Sequence, residues 1–527
     1  MRRASLVLVA AAMLAGCGSA APSATPVVPS VGSSPSAAIP SAAPPSAAPP
    51  SAALPSSAAV LVPLAVVTAF SNYSLTTISL ATLGADLASG SLVVPCGAEA
   101  AVESALAVAT PTVPSGCVAA DAIPALLDPT NRRIALLPPG LVTPRVRVLP
   151  ISAADLFGET PSRALPYPLV IPAPPAWPTA WTTYDPTNVR VVVTTGVNCP
   201  DRGVSLQTNV LGKGWDWLLQ AGTARYTGRH WDPAYGWYVV DAVRTGHAGA
   251  LASLIRNADI AESDFECSMT KHFSQHDSGT VFSIDPRVAP LMAKAGFDVA
   301  TIAADHTTNV GLGPVVETVN LFRANGIAAV GGGANLAAAL RPAVIDVRGL
   351  RFGFVGFDAI GGSIAATATT AGVAPLTEAN ARTAIAAARA AGAQVVFALP
   401  QWSSVEYRAA FTGFQQGLIA MLTRAGADHI IGADFHWAGA ISITRGSPSG
   451  YRFVTASQGN FWFGQDWSRQ TQEGIITVLT FVGTHLAQVR LVPTVVLDNA
   501  QPNLTDPATD GRFVLQQVLS ASTLLAR

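Results

Sequence analysis

Charge is scarce in this chain: 12% of its 527 residues are Asp, Glu, Lys or Arg, and the formal net charge is −1. No basic run follows Arg2 and Arg3, so no field gathers a polyanion along the surface and a nucleic-acid partner is not expected. Cysteine is equally sparse, with five in all, which excludes a disulfide-dense miniature scaffold. "GGGAN" at 331–335 lacks the lysine and the spacing of a phosphate loop and reads as a strand-to-helix turn. What is abundant is apolar material, half of the chain. That is enough for one large domain and a smaller one.

The opening "MRRASLVLVAAAMLAGCGSA" has two arginines, a short apolar stretch and small residues before Cys17. It has the layout of a secretion signal and is too short to span a bilayer. Leu14-Ala15-Gly16-Cys17 resembles a bacterial lipoprotein box, which implies cleavage before Cys17 and lipidation there. Each buried methylene of an acyl chain adds about 0.8 kcal/mol, so two or more chains anchor stably. The expected location is therefore extracytoplasmic, on the membrane. Residues 18–59, almost wholly Ser, Ala and Pro, cannot bury a core and read as an extended tether. Removing Cys17 leaves Cys96, Cys117, Cys199 and Cys267. An even number in an exported chain favours two disulfides. Three pairings are open; Cys96 with Cys117 and Cys199 with Cys267 is preferred because each pair lies within one expected domain.

Residues 60–178 alternate apolar runs with turn signals, as in "AVVTAF" and "VRVLPI", and end in the proline-rich "LPYPLVIPAPPAWP". They read as a small α/β accessory domain. Residues 186–504 form a second domain with a βα rhythm: "NVRVVVTTG" as strand, "DPRVAPLMAKAG" as helix, "AQVVFALPQW" as strand and loop. Residues 505–527 form a C-terminal extension. Such alternation predicts a layered α/β fold with strands buried between helices. Polar residues gather where strands are expected to end: Asn198 with Asp201 and Arg202, Asp264 with Glu266, Asp305 with His306, Gln401, Asp434 with His436, and Asn460. Loops at the carboxyl ends of strands are where α/β folds place their sites. Trp231, in the aromatic segment "GRHWDPAYGWYVVDAVRTG", is a candidate wall of that cleft.

"TGVNCPDRGV", "ADIAESDFECSMT", "AGFDVATIAADHTTNVG", "QWSSVEY", "GADHIIGADFHWAGAI" and "SQGNFWFGQDWSRQTQEGI" resemble, in order and rough spacing over about residues 188–504, the CapA family. These are bacterial capsule-synthesis proteins linked to poly-γ-glutamate, with a fold similar to calcineurin-like metallophosphatases. The resemblance therefore implies a metallophosphatase-like α/β sandwich. Family members typically carry Gly-Asp in the first strand loop, where this chain has Gly196-Val197. They carry a histidine where this chain has Gln401, with Glu406 following, and a His-x-His pair where it has Asp434-Phe435-His436.

Without a carboxylate at 197, the resemblance implies at most one divalent cation, bound by Glu266, Asp305, Gln401 and Asp434. That all-oxygen set suits Mg²⁺, Mn²⁺ or Ca²⁺. His306, His436 and Asp305 are the implied acid/base groups, His306 as general acid; Asn198, Glu406 and Asn460 would line or support the cleft. The implied partners are an anionic or glutamyl polymer or an envelope glycan, and membrane polymer-synthase subunits. Three readings stay open: a capsule-type hydrolase or transferase, a metallophosphoesterase of another substrate, and a binding lipoprotein that kept the cleft and lost the chemistry.

Overall fold

The computed structural model describes residues 59–108, 116–127, 132–402, 406–447 and 449–524. Cys17, the signal segment and the tether up to residue 58 lie outside the described residues. From Leu61 onward the described residues belong to one compact unit.

Two large sheets organise that unit. The first has nine strands, with Ala328–Val330, Val299–Thr301, Ile260–Phe265 and Val189–Asn198 parallel at one side. The antiparallel ribbon Glu473–Val482, His485–Leu497 and Gln501–Thr505 follows. The hairpin Thr223–Asp232 and Trp237–Gly246 closes the sheet. The second sheet has seven strands around a parallel centre of Leu350–Asp358, Val395–Gln401, His429–Ile431 and Gly450–Thr455.

Side-chain alternation sorts these strands into layers, because successive residues of a strand face opposite sides. Val192, Ile260 and Val299 of the first sheet pack against Phe352, Phe354 and Phe397 of the second, making the central core. Val191, Val193 and Ala261 point the other way, onto the helices Ala250–Asn257, Val288–Ala295 and Leu312–Ala324. On the far side of the second sheet, Val396 and Ala398 meet the helices Glu378–Ala390 and Gly413–Ala425. The result is helix, sheet, sheet, helix. The latter two helices start at threonine N-caps, Thr377 and Thr412, the second with a full capping box to Gln415, as their polar-to-apolar sequence transitions dictate. Among the described residues no helix is long and apolar enough to cross a membrane.

The segment before residue 178 builds its own four-stranded sheet, in the order Leu92–Val93, Ile134–Leu137, Ala65–Ala69, Val146–Leu149. It leans on the antiparallel ribbon: Val148 N donates to Gln488 Oε1 at 2.7 Å, and Thr480 Oγ1 to Phe157 O at 2.8 Å. Both expected disulfides are formed, Cys96–Cys117 and Cys199–Cys267. The second joins the ends of neighbouring strands and is buried in the helix-side core. It closes a separation of 68 residues, for which chain-entropy arguments give about 4 kcal/mol. The double replacement Cys199→Ser/Cys267→Ser should therefore lower the unfolding free energy by about that amount in denaturant titrations. An unchanged midpoint would show that the pair contributes nothing.

Candidate active site

The parallel strands of both sheets end at one edge of the sandwich, and their loops are cross-tied. Isolated bridges link Cys267 with His306, Val197 with Asn460, and Gln401 with Ala433. Into this edge project the groups that the sequence places at strand ends.

Glu266 directly follows the strand Ile260–Phe265 and is fully buried. Its Oε1 accepts from Gln401 Nε2 at 2.7 Å, and its Oε2 has no partner. The same Gln401 nitrogen is 3.3 Å from Asp434 Oδ1, whereas Gln401 Oε1 is buried and unpartnered. Asp305 enters from the loop after Val299–Thr301 with its Oδ1 buried and unpartnered. One ligand oxygen from each of Glu266, Asp305 and Asp434 lies within 4.8 Å of the others. Burial, then Asp305, Asp264 and Asp434, push the Glu266 carboxyl well above the usual range. Three carboxylates converging with orphaned oxygens in a pocket are what a hard divalent cation relieves, and the three clustered ligand atoms are all oxygen. The three carboxylates thus fit the expected ion, while Gln401 turns its amide nitrogen toward Glu266 and Asp434. Val197 itself is packed in the apolar core, with its backbone N–H on Gly459 O at 2.9 Å. The position that would serve a second cation is hydrophobic.

The two histidines differ. His436 Nδ1 is 2.9 Å from Asn460 Oδ1, and the Asn460 amide nitrogen is already committed to Gln465 Oε1 at 3.1 Å and Thr471 O at 2.9 Å. That network assigns the proton to Nδ1 and leaves Nε2 as a lone-pair acceptor. Burial pulls the His436 pKa down to about 3, so the ring is neutral at physiological pH. It can accept a proton or a cation but cannot act as a general acid. His306 has Nδ1 3.1 Å from Asn309 Oδ1 and Nε2 3.5 Å from Asp305 Oδ2. Nδ1 is the hydrogen-bonded nitrogen, and Nε2 faces the Asp305 carboxylate.

Of the remaining expected residues, Asn198 is a buried pin. Its amide donates to Ser263 Oγ at 2.8 Å and Gly196 O at 3.1 Å, and its oxygen accepts from Trp462 N, so it holds strand ends together instead of lining a cleft. Asn460 orients His436. Glu406 is exposed beside Tyr407. Trp231 is 51% exposed on the hairpin against Tyr238, apart from the carboxylate cluster. Four residues around the site hold left-handed φ values, Arg202 at 42°, Tyr407 at 58°, Asp434 at 103° and His436 at 57°. Each such non-glycine conformation costs on the order of 1–3 kcal/mol and persists where surrounding contacts over-determine it.

Sequence reasoning passed over Glu262, and left Asp264 and Arg202 among strand-end polar groups without a role. Glu262, Asp264 and Glu266 alternate along one strand, and all are buried. Burial, then Asp305, pushes Asp264 up to about 8, and burial, then Asp264, pushes Glu262 well above the usual carboxyl range. The spacing of two in "ESDFE" was the available signal.

Residues 230–465 match the model of the family described as bacterial capsule synthesis protein PGA_cap. The match is narrower than the expected 188–504 and leaves out the first strand loop with Val197. The capsule biosynthesis protein CapA of Bacillus anthracis is 24% identical over 230 residues, 42% of this chain and 54% of that protein. The PGA biosynthesis protein CapA of Bacillus subtilis (strain 168) is 26% identical over 227 residues, 42% of this chain and 58% of that protein. The chain thus spans little more than half the length of these curated relatives. A 5'-nucleotidase precursor from Thermus thermophilus overlays with a TM-score of 0.34 at 14% identity, covering 63% of this chain and 59% of that one. The resemblance read from the motifs is therefore met by the family model and by these distant relatives.

Proposed function

We propose that this chain is a membrane-anchored envelope protein of the CapA type, acting on an anionic capsule-class polymer at a single-cation site. The observation that carries the reading is the convergence of Glu266, Asp305 and Asp434 with three orphaned oxygens, Glu266 Oε2, Asp305 Oδ1 and Gln401 Oε1. When bound there, a divalent cation supplies charge neutralisation and polarisation of a carbonyl or phosphoryl oxygen. Around it, Gln401 ties Glu266 to Asp434, Asp305 holds the His306 ring, and His306 is placed to deliver a proton. His436, neutral and fixed by Asn460, offers a lone pair. Similarity to the two Bacillus proteins supports the polymer class.

The test is made in the host. Glu266→Gln and His306→Ala, expressed at normal level, should reduce surface polymer as far as loss of the whole protein does. Polymer unaffected by loss of the protein would sink the reading. Steady phosphate release from a model ester in Mn²⁺, abolished in both variants, would replace it with a phosphoesterase. The anchor is tested separately. Cys17→Ala should move the protein from the membrane pellet to the soluble envelope fraction, and retention in the pellet would exclude lipidation at Cys17.

A further inference from the structure

The acidic pocket has a cationic neighbour to which neither the proton-transfer groups nor the cation ligands assign a task. Arg202 lies in the turn after the strand Val189–Asn198, and its guanidinium carbon is 4.9 Å from the ring centre of Phe282, 5.1 Å from Phe463 and 5.7 Å from Trp467. Two of these rings also pack on the site histidines, Phe282 at 4.7 Å from His306 and Phe463 at 5.3 Å from His436. Nη2 donates to Gly279 O at 2.5 Å, but Nε and Nη1 are buried without a partner.

The adjacent Asp201 lends the guanidinium its charge but no hydrogen bond. The Asp201 oxygens are taken by the Arg202 backbone N–H, by His276 N and Nδ1, and by Ser283 N. Glu266, Tyr407 and Tyr235 are the other groups within electrostatic reach of the guanidinium. Leaving buried N–H groups of a charged side chain unpaired carries the full desolvation penalty of those groups. A guanidinium kept so between aromatic rings, beside a cation site, is built for an incoming anion.

We propose that Arg202 binds an oxyanion of the substrate, a carboxylate or phosphate group, and so positions it at the Glu266–Asp305–Asp434 pocket. The inference rests on the pocket being the substrate site of the preceding reading. The rings continue outward from it: Trp467 lies 5.4 Å from Tyr235 of the hairpin, and the hairpin borders a groove of about 360 Å³ lined by Arg229, Trp231, Trp237, Tyr238 and Arg469. An extended probe is therefore appropriate.

The experiment measures binding of a short γ-linked glutamate oligomer and, separately, of inorganic phosphate to the full chain by calorimetry, with and without Mn²⁺, alongside Mn²⁺ affinity and melting. Arg202→Gln should weaken anion binding about tenfold to a hundredfold, the loss of charge-assisted hydrogen bonds of about 1.5–3 kcal/mol. Arg202→Lys should restore part of it, and Mn²⁺ affinity should stay within about twofold. Loss confined to the oligomer assigns a carboxylate, and loss confined to phosphate assigns a phosphoryl group. Anion affinity equal in wild type and variant, or no binding of either probe by the cation-loaded wild type, overturns the proposal. If Arg202→Gln melts early, Arg202→Lys alone decides, and wild-type affinity for both probes would then overturn it. Arg202-dependent anion binding without any Mn²⁺ binding would remove the cation reading and leave this one standing.

Discussion

Replacing Glu266 with Gln should lower the affinity for Mn²⁺ by at least about a hundredfold and leave the fold intact. The substitution keeps the shape of the side chain and removes one full charge from a pocket whose three carboxylates share a 4.8 Å envelope. At about 4 Å and an effective dielectric constant near 20, each unit charge pair is worth about 4 kcal/mol. Part of that is returned because Asp305 and Asp434 are no longer repelled by a carboxylate at position 266. A net loss near 3 kcal/mol is still about a hundredfold, at about 1.4 kcal/mol per factor of ten. Calorimetry on chelator-stripped protein should give one equivalent for wild type. Gln401→Ala should lose about tenfold, because the Gln401 amide nitrogen ties Glu266 to Asp434 and so fixes the two carboxylates in place. Two equivalents would contradict the apolar packing of Val197, and no heat at millimolar Mn²⁺ would mean the cluster is not a cation site.

The parts of this arrangement differ in how far the sequence disclosed them. Long apolar strands alternating with capped helices made the layered α/β class legible. Glu266, Asp305, Gln401 and Asp434 were legible as polar residues at the ends of apolar strands, and the resemblance to the CapA family implied their role as a ligand set. The division of the strands into two sheets was not, since "NVRVVVTTG" and "AQVVFALPQ" are equally apolar runs and only non-local pairing separates them. The segment 223–246 shows its aromatics in the sequence but not that they stand on two paired ten-residue strands. Asn198 looked like a cleft residue because strand-end asparagines often are; here a hydroxyl and a carbonyl of neighbouring segments consume its amide. Arg202 could not be distinguished from a surface arginine without the three rings and the preoccupied Asp201 around it. The roles of the histidines were equally hidden, because the acceptors that fix their tautomers, Asn309 and Asn460, lie in loops whose approach is tertiary.

The cation-free protein should become less stable as pH rises from 6.5 to 8, and Mn²⁺ should reduce that fall. Asp264 is raised from its usual 3.8 to about 8 in the folded chain, by burial and then by Asp305, and Glu262 and Glu266 are raised in the same direction. Between those limits the unfolded chain has released protons that the folded chain still holds. Raising pH therefore favours unfolding, by about 1.4 kcal/mol per pH unit for each proton concerned. Asp264 alone contributes about 2 kcal/mol over the interval. Below pH 6.5 the trend flattens, because burial depresses His429 and His436 to about 3 in the folded chain. The unfolded chain then binds two histidine protons that the folded one refuses, which offsets part of the gain from the three carboxyls. Above 6.5 that offset fades as the unfolded histidines lose their protons, and the raised carboxyls dominate. A bound cation takes the place of the protons, and at a hundred times its Kd it adds about 2.7 kcal/mol. Denaturant midpoints at pH 6.5 and 8 should differ for wild type in chelator, and differ less for Asp264→Asn or in saturating Mn²⁺. A chelated wild type that is equally stable at both pH values would show that these carboxyls are ionised and paired by some other means.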